Sequence, residues 1–464
     1  MNLIATSEKK VVIGLGATGQ SVVRFLLARG FSPVVVDSRD APPALEAFRG
    51  EFPDVPVVCG PLNPETLLAA SEIVVSPGIG VDEPAIAAAV AAGIPVVGDI
   101  ELFARELAKV EPTPKVIAIT GSNGKSTVTT LMGLMAEAAG VSVKVGGNIG
   151  VPVLDFLTSG AALPELFVLE LSSFQLETTY SLAAEVATIL NVSADHMDRY
   201  PDLAAYHRAK QRVYRHTRQL VINRADPLTR GPLNRDSIEW SFGLDRPDLK
   251  QFGVISEGGQ PWLAKGQKTL MPASEMAMVG SHNVANALAA LALGSAVGLP
   301  MAPMLQVLRS FAGLAHRCER VADLDGVTFV NDSKGTNVGA TRAALDGLAD
   351  DKRKIVLIAG GDGKGADFSP LAEAAGALRG LVTIGVDGPK IAAVFEGLVA
   401  QQAADDMDDA TAKAKALARD GDYVLLSPAC ASFDMFRNFE NRGEVFRSAV
   451  DALVQSSGRG GVHE

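Results

Sequence analysis

Short apolar runs alternate with helically spaced hydrophobic stretches along this chain, and many of the runs end in a polar loop rich in glycine or serine. The pattern predicts buried parallel strands joined by amphipathic helices. Its fullest instance is Lys115-Val116-Ile117-Ala118-Ile119, which runs into Thr120-Gly121-Ser122-Asn123-Gly124-Lys125-Ser126-Thr127. Behind that loop, Val128, Leu131, Met132 and Met135 keep helical spacing up to a stop at Gly140. Strand, glycine loop and helix form a phosphate cradle, because backbone N–H groups close on anionic oxygens at a helix N-terminus. Lys125 would reach the β- and γ-phosphates and the Ser126 hydroxyl would sit on Mg²⁺, so ATP or a close relative is the expected ligand. The general loop pattern has glycine five residues before Gly124, where this chain carries Ile119.

An earlier unit repeats the logic. Val11-Val12-Ile13 leads into Gly14-Leu15-Gly16-Ala17-Thr18-Gly19, a helix through Val22, Val23, Leu26 and Leu27, and a strand Pro33-Val34-Val35-Val36 ending at Asp37. This is a G-x-G-x-x-G with an acidic residue about 20 positions on, the dinucleotide fingerprint. It leaves NAD and other ribose diphosphates, such as a UDP-sugar, equally open. Strands at Ile73-Val74-Val75 and Pro95-Val96-Val97 continue the alternation, the first ending at Ser76-Pro77-Gly78.

After the phosphate loop, Gly146 to Gly150 reads as a turn, and Leu166 to Leu171 as a strand carrying one carboxylate, Glu170. A buried Glu needs a partner or a metal, so Glu170 is either a Mg²⁺ ligand or a sign that the strand lies at a solvated edge. Ala187 to Val192 is a further strand, and its loop holds His196, either solvated or functional. A helix from Asp202 sets Leu203, Tyr206, Lys210 and Val213 on one stripe. Lys210 there is either a snorkelling cation or a buried amine of lowered pKa. Gly280 opens a long Ala/Leu helix with Ser281 or His282 as cap and Asn283 and Asn286 on one face, followed by a helix ending near Leu314.

The last stretch predicts a third sheet from Val327 to Val330, Ile355 to Ala359, Leu381 to Ile384 and Tyr423 to Leu426. Loops at the strand ends bring Asp332, Lys334, Lys364 and Ser432 to one edge. Lysines there suit a carboxylate-bearing substrate, unless Asp332-Ser333-Lys334 is only a turn.

The 464 residues suggest about three domains, and 47% hydrophobic content with 5% aromatic fits an α/β protein. Domains are expected over 1–110, 111–314 and 315–464: a Rossmann-like unit, a central P-loop unit with a mostly parallel sheet, and a second Rossmann-like unit. A net charge of −11 without a long basic run argues against nucleic acid. Three scattered cysteines, Cys59, Cys318 and Cys430, read as reduced thiols. No apolar run reaches membrane-spanning length and no signal-peptide core precedes the first strand, so a cytoplasmic protein without membrane insertion is expected. Ser456 to Glu464 reads as a frayed tail.

These pieces, in this order, resemble the Mur ligases of bacterial cell-wall synthesis, and within them the D-glutamate-adding branch. The resemblance rests on Thr120 to Thr127, whose missing first glycine is a family trait, on Leu169 to Glu177 and on Asp195 to Tyr200. It also rests on Asn331 to Lys334, Gly360 to Lys364 and Ser427 to Asp434. The Asp-Asn-Pro-Arg signature of the diaminopimelate-adding branch is absent. The resemblance implies an ATP-dependent ligase that joins D-glutamate to UDP-N-acetylmuramoyl-L-alanine through an acyl phosphate. A monomer is expected, since nothing in the sequence signals an interface.

It also implies roles. Gly121, Ser122, Asn123, Gly124, Lys125, Ser126 and Thr127, with Asn283, Arg317 and Asp332, hold ATP. Ser126 and Glu170 hold one Mg²⁺, and His196 and a carbamylated Lys210 a second. Lys125, Glu170, His196, Lys210 and Lys334 serve catalysis. Thr18, Asp37, Arg39, Ser76 and Gly78 hold the uridine diphosphate, with Asn148 and Ser172 at the muramoyl-alanyl end. Thr336, Lys364, Ser432 and Phe439 frame D-glutamate. Gly335 and Cys318 stand where the resemblance leads one to expect Ala and Phe. An NAD-dependent dehydrogenase would leave the P-loop, Glu170 and Lys210 unused, and a bare ATP-binding module would not need Lys364, Ser432 or a third domain. A folylpolyglutamate synthetase lacks the Rossmann-like first unit.

Overall fold

The computed structural model describes residues 8–232, 237–249, 251–278, 280–348 and 353–459. They build three sheets in chain order. The first holds β1 (Lys10–Ile13), β2 (Val34–Asp37), β3 (Val57–Cys59), β4 (Glu72–Val75) and β5 (Val96–Val97), all parallel, in the order β3-β2-β1-β4-β5. Strand order reverses at β1, so the β1/β4 crevice is the natural ligand position of this unit. Gly19 packs the following helix onto the loop, since a Cβ there would overlap the Gly14 carbonyl, whereas Gly16 has no protein atom near its Cβ direction.

The second sheet contains β6 (Lys115–Thr120), β7 (Val143–Gly147), β8 (Leu166–Glu170), β9 (Val186–Ile189), β10 (Gln219–Asn223), β11 (Ile238–Phe242), β12 (Gln251–Glu257), β13 (Gln260–Lys265) and β14 (Lys268–Pro272). Its order is β14-β13-β12-β11-β10-β9-β6-β8-β7, parallel from β7 to β12 and antiparallel across β12-β13-β14. The sequence expectations did not include β10 to β14. β11 to β14 are partly solvated and lack the continuous apolar runs of β6 and β8, whereas β10 is buried but carries only a three-residue apolar run, Leu220 to Ile222. The expected turn at Gly146-Gly147 is a correction: both residues lie in edge strand β7. Gly147 has φ +102 and a Cβ there would overlap the Glu170 carbonyl, so the glycines are required by close strand approach.

The helix Ser281–Val297 is fully buried from Ala287 to Leu293 and packs against the P-loop helix Lys125–Ala138, β11 and β12. A helix apolar on every side belongs inside. Its cap is Gly280 at φ +98, not Ser281 or His282, which lie in the first turn. The next helix stops at Ser310, short of Leu314. The helix after Asp202 ends at Gln211, with Val213 carried on a 3₁₀ turn, Arg212–Tyr214.

The third sheet holds β15 (Glu319–Leu324), β16 (Val327–Asn331), β17 (Ile355–Gly360), β18 (Leu378–Ile384), β19 (Ala400–Ala403) and β20 (Tyr423–Leu426) in the order β15-β16-β20-β17-β18-β19. Only β15 is antiparallel. The final helix, Phe439–Arg459, includes Ser456, so the expected tail is helical up to Arg459; residues 460–464 lie outside the described residues.

Polar contacts tie the three units together. Asp155 accepts from Ser21 Oγ (2.8 Å) and Arg24 Nη2 (3.0 Å), and Glu101 accepts from the Tyr180 and Ser181 amides (2.7 and 2.8 Å). Arg317 and Asn337 connect the third unit to the second.

Candidate active site

Between β6 and its helix, Gly121 (φ +154) and Gly124 (φ +82) give the loop a shape open to few other residues. A Cβ at Gly124 would lie 2.5 Å from Asn286 Oδ1. The loop is braced from behind. Ser122 Oγ donates to Ser193 O (2.9 Å), and Asn123 and Asn191 exchange two bonds (2.8 and 3.0 Å).

Two lysines converge on this loop. Lys125 Nζ donates to Gly121 O and Ser122 O (both 2.8 Å), and Lys210 Nζ donates to Gly121 O (2.9 Å) above the Tyr206 ring. Neither makes an ion pair within the described residues. Burial lowers the pKa of Lys125, which Glu170 and Asp195 partly offset. Lys210 is 1% exposed, and burial followed by the neighbouring Lys125 charge drives its pKa well below the usual lysine value. The snorkelling alternative is thereby set aside: Lys210 is a buried, readily neutral amine.

Glu170 ends β8 at 2% exposure. Its Oε1 accepts from Asn148 Nδ2 (2.9 Å), while Oε2 is buried without a partner. Such an oxygen is costly unless a cation meets it. Opposite, Ser126 Oγ accepts from Arg317 Nη2 (2.7 Å). No group of three or more His, Cys, Asp or Glu suited to a metal occurs among the described residues. One carboxylate and a hydroxyl beside a phosphate cradle still suit Mg²⁺, which keeps waters and takes phosphate oxygens as ligands. His196 sits at φ +58, with its ring edge-on to Phe174 (4.8 Å between centroids). Burial lowers its pKa, which favours the neutral imidazole.

A cleft of ≈ 950 Å³ gathers Ser122, Asn123, Gly124, Lys125, Ser126, Asn148, Glu170, Ser172, His196, Lys210, Arg317, Lys334, Thr336, Lys364 and Phe439. A smaller pocket of ≈ 150 Å³ joins it, lined by Thr127, Asn283, Asp332 and again Asn123, Gly124 and Arg317. Ser432 lines neither; it is 2% exposed, and its carbonyl accepts from the Met435 and Phe436 amides. Gly121 lies behind the cleft with its carbonyl occupied by the two lysines.

The wall from the third unit is strongly held. Lys334 Nζ lies 3.7 Å from the Phe439 ring centroid, and burial followed by the Arg317 charge brings its pKa down to about 8. Asp332 accepts from Ser427 Oγ (2.7 Å) and the Cys318 amide (3.2 Å), and burial raises it to about 6. A Cβ at Gly335 would lie 2.6 Å from Ser427 Oγ and 2.7 Å from Asp332 Oδ2, so glycine there keeps the Ser427–Asp332 bond intact. Lys364 adopts φ +50, its amide donating to Asp362 Oδ1 (2.9 Å).

Thr18, Asp37, Arg39, Ser76 and Gly78 gather outside both pockets, at the β1/β4 crevice and the neighbouring end of β2. Asp37 accepts from the Leu15 amide (2.8 Å), the Arg39 amide (3.0 Å), Arg39 Nε (2.8 Å) and Arg39 Nη2 (2.7 Å). Arg39 thereby pulls its pKa down to about 2. A carboxylate so occupied is poorly placed to take ribose hydroxyls in the NAD manner. Ser76 Oγ is buried and unpartnered.

Comparison with known proteins decides the lineage. The family model "Mur ligase MurD-like, N-terminal domain" matches residues 8–98, "Mur ligase middle domain" 119–294 and "Mur ligase, glutamate ligase domain" 316–430. A UDP-N-acetylmuramoylalanine–D-glutamate ligase of Pseudomonas aeruginosa is 54% identical over 98% of this chain and 100% of its own length. The chain belongs to the Mur ligase family. A ligase of the same description from Shewanella oneidensis is 52% identical over 96% of this chain and 98% of its own. Among solved structures, the MurF ligase of Thermotoga maritima in complex with ADP superposes with TM-score 0.61 at 16% identity, covering 96% of both chains. The match of residues 8–98 to a Mur ligase N-terminal domain also speaks against a folylpolyglutamate synthetase.

Two residues of this Mur ligase, Arg442 and Asn337, gave no functional signal in the sequence. Arg442, 0% exposed, donates to Ser333 Oγ (3.0 Å), Ser333 O (2.8 Å) and Cys430 O (3.1 Å), and so fixes the segment carrying Asp332 and Lys334. Asn337 Nδ2 reaches Asp195 Oδ2 (3.1 Å) across the cleft. A buried arginine without a carboxylate leaves no signal in sequence spacing; Asn337 follows Thr336 in a loop already singled out.

Proposed function

We propose that this chain is an ATP-dependent acid–amino-acid ligase. It joins D-glutamate to UDP-N-acetylmuramoyl-L-alanine, releasing ADP and phosphate, in cytoplasmic peptidoglycan-precursor synthesis. The supporting observation is one cleft, in a chain 54% identical to a D-glutamate ligase along its full length, where the phosphate loop meets an orphaned carboxylate oxygen and the lysines of the third unit. Residues 1–110 bind the UDP-substrate, 111–314 bind ATP and 315–464 bind the incoming amino acid. The chain acts as a monomer.

The γ-phosphoryl of ATP passes to the alanyl carboxylate, giving an acyl phosphate and ADP. The D-glutamate amine attacks the acyl carbon, a tetrahedral intermediate collapses, and phosphate leaves as the amide forms. Charge crowds on the transferring phosphoryl, so most of the assistance is electrostatic. Lys125 turns from its carbonyls to the β- and γ-phosphates. Asn283, Arg317 and Asp332 hold the nucleotide, Arg317 also fixing Ser126 Oγ.

Glu170 and Ser126 are the residues that would hold one Mg²⁺, and His196 with a carbamylated Lys210 a second. Ions held there would supply charge neutralisation for the phosphates. A neutral Lys210 amine can take up CO2, and the resulting anion would offset the adjacent Lys125 charge. Asn148 and Ser172 steer the alanyl end, while Thr18, Asp37, Arg39, Ser76 and Gly78 hold the uridine diphosphate. Lys334 is cationic near neutral pH and faces the developing negative charge. Lys364, Thr336 and Phe439 frame D-glutamate, with Ser432 buried behind them.

The test is phosphate release from Mg·ATP with UDP-N-acetylmuramoyl-L-alanine and D-glutamate, L-glutamate or diaminopimelate, with NADH oxidation followed in parallel. Release that needs the UDP-substrate and D-glutamate together is expected. Turnover only with another amine would keep the family and overturn the substrate. NADH turnover alone would overturn the reading altogether.

A further inference from the structure

We propose that Arg199 is a positioning residue that couples the Ser76–Ile79 turn of the first unit to His196 in the reaction cleft. Occupancy of the first cradle by a uridine diphosphate then resets the surroundings of the imidazole. The proposal rests on the reading of the first unit as the uridine diphosphate site.

Arg199 is the side chain that touches both places. Its Nη2 donates to Ile79 O (3.4 Å), and Ile79 closes the turn whose first residue, Ser76, accepts the Ile79 amide (3.0 Å). Ser76 Oγ in the same turn is buried with no protein partner, which leaves it for a ligand. On the other side, the guanidinium lies 4.7 Å from the centroid of Phe174, and that ring meets His196 edge-on at 4.8 Å. The backbone closes the link, since the Arg199 and Tyr200 amides both donate to His196 O (2.9 and 3.0 Å). Glu177 holds the guanidinium in place (2.8 Å).

The geometry is mechanically suited to the task. His196 occupies a left-handed conformation that persists only where its surroundings enforce it. The groups against it are the ring of Phe174, the turn of the Arg199 and Tyr200 amides, and Asp195, whose carboxylate accepts the His196 amide (3.0 Å). A planar guanidinium can stack on Phe174 and bond to a carbonyl at once, which an ammonium cannot. Other polar ties between the first two units, at Asp155, Glu101, Asp99, Val96 and Gly98, are made by side chains or backbone groups other than those of His196.

The experiment uses the full chain and UDP alone, which lacks the alanyl end that would approach His196 directly. Calorimetry measures UDP binding, and imidazole nitrogen NMR, assigned with His196→Gln, follows His196. In the wild type UDP binds and moves the His196 signal. In Arg199→Gln, UDP affinity stays within about threefold, the His196 response is lost and kcat for the full reaction falls by about tenfold. Should Arg199→Gln unfold, Arg199→Lys carries the test, because it keeps the charge and loses the stack. A His196 response that persists in the variant, or that is absent in UDP-bound wild type, overturns the coupling. Failure of UDP to bind wild type overturns the reading of the first unit, and the coupling with it.

Discussion

The two glycine loops, Gly14–Gly19 and Gly121–Lys125, are built alike and finished differently. Each leaves a buried strand, turns on glycines and opens a helix. At the first, the charged group is satisfied: Asp37 takes four hydrogen bonds, two from one guanidinium, and sits at about 2. At the second, Lys125 and Lys210 donate only to carbonyls, and a Glu170 oxygen has no partner. A satisfied cradle binds. A cradle lined with charges short of partners is prepared for a ligand that brings the missing charges, and it trades stability for chemistry.

The sharpest way to break this contrast is Lys125→Ala. Phosphate release should fall by about 10³-fold, while Tm stays level or rises because a desolvated amine without a carboxylate is removed. A large drop in Tm would make Lys125 structural and erase the distinction.

Asp99 offers a control outside both loops. It is 2% exposed with one orphaned oxygen, and burial raises it to about 6. The native state therefore binds an extra proton between the unfolded carboxylate value of about 4 and 6, and stability falls as pH rises through that window. Asp99→Asn should raise unfolding free energy by up to about 3 kcal/mol at pH 8 and by little at pH 4, measured by denaturant titration at both values. No gain at pH 8 would mean that an unpartnered buried oxygen is not a stability cost here.

At the satisfied loop, Asp37→Asn releases Arg39. The expected result is a rise of about tenfold in KM for the UDP-substrate with kcat nearly unchanged, read from steady-state kinetics. Stability supplied by Asp37 is present above the unfolded value near about 4 and is lost as pH falls towards 2, so acid titration of the variant should show a flatter loss over that range. A fall in kcat instead would move Asp37 into the chemistry.

The smallest effect concerns Lys334. Its charge is lost as pH rises through about 8, so kcat should fall severalfold between pH 7.5 and 9. Lys334→Arg should flatten that profile. A profile unchanged by the substitution would assign the titration to another group.

The sequence by itself determined the βα grammar, because burial on both faces forces continuous apolar runs and tight phosphate approach forces glycine. It therefore exposed the P-loop, the first glycine fingerprint, the odd Glu170 and the odd Lys210. It did not show β11 to β14, whose partly solvated positions carry little periodic signal, the short buried run of β10, or that Gly146 and Gly147 belong to a strand. Only the tertiary structure decided which readings of the ambiguous residues stand. Whether a lysine snorkels or lies buried depends on what packs over it, and Lys210 reaching Gly121 O is a contact across 89 positions. Arg317 on Ser126 spans 191, and Arg442 on Ser333 spans 109. The withdrawal of Ser432 behind the wall belongs to the same class. Local pattern records what a residue's immediate chain requires, whereas desolvation and hydrogen-bond partners are set by distant segments that only the packed sheets bring together.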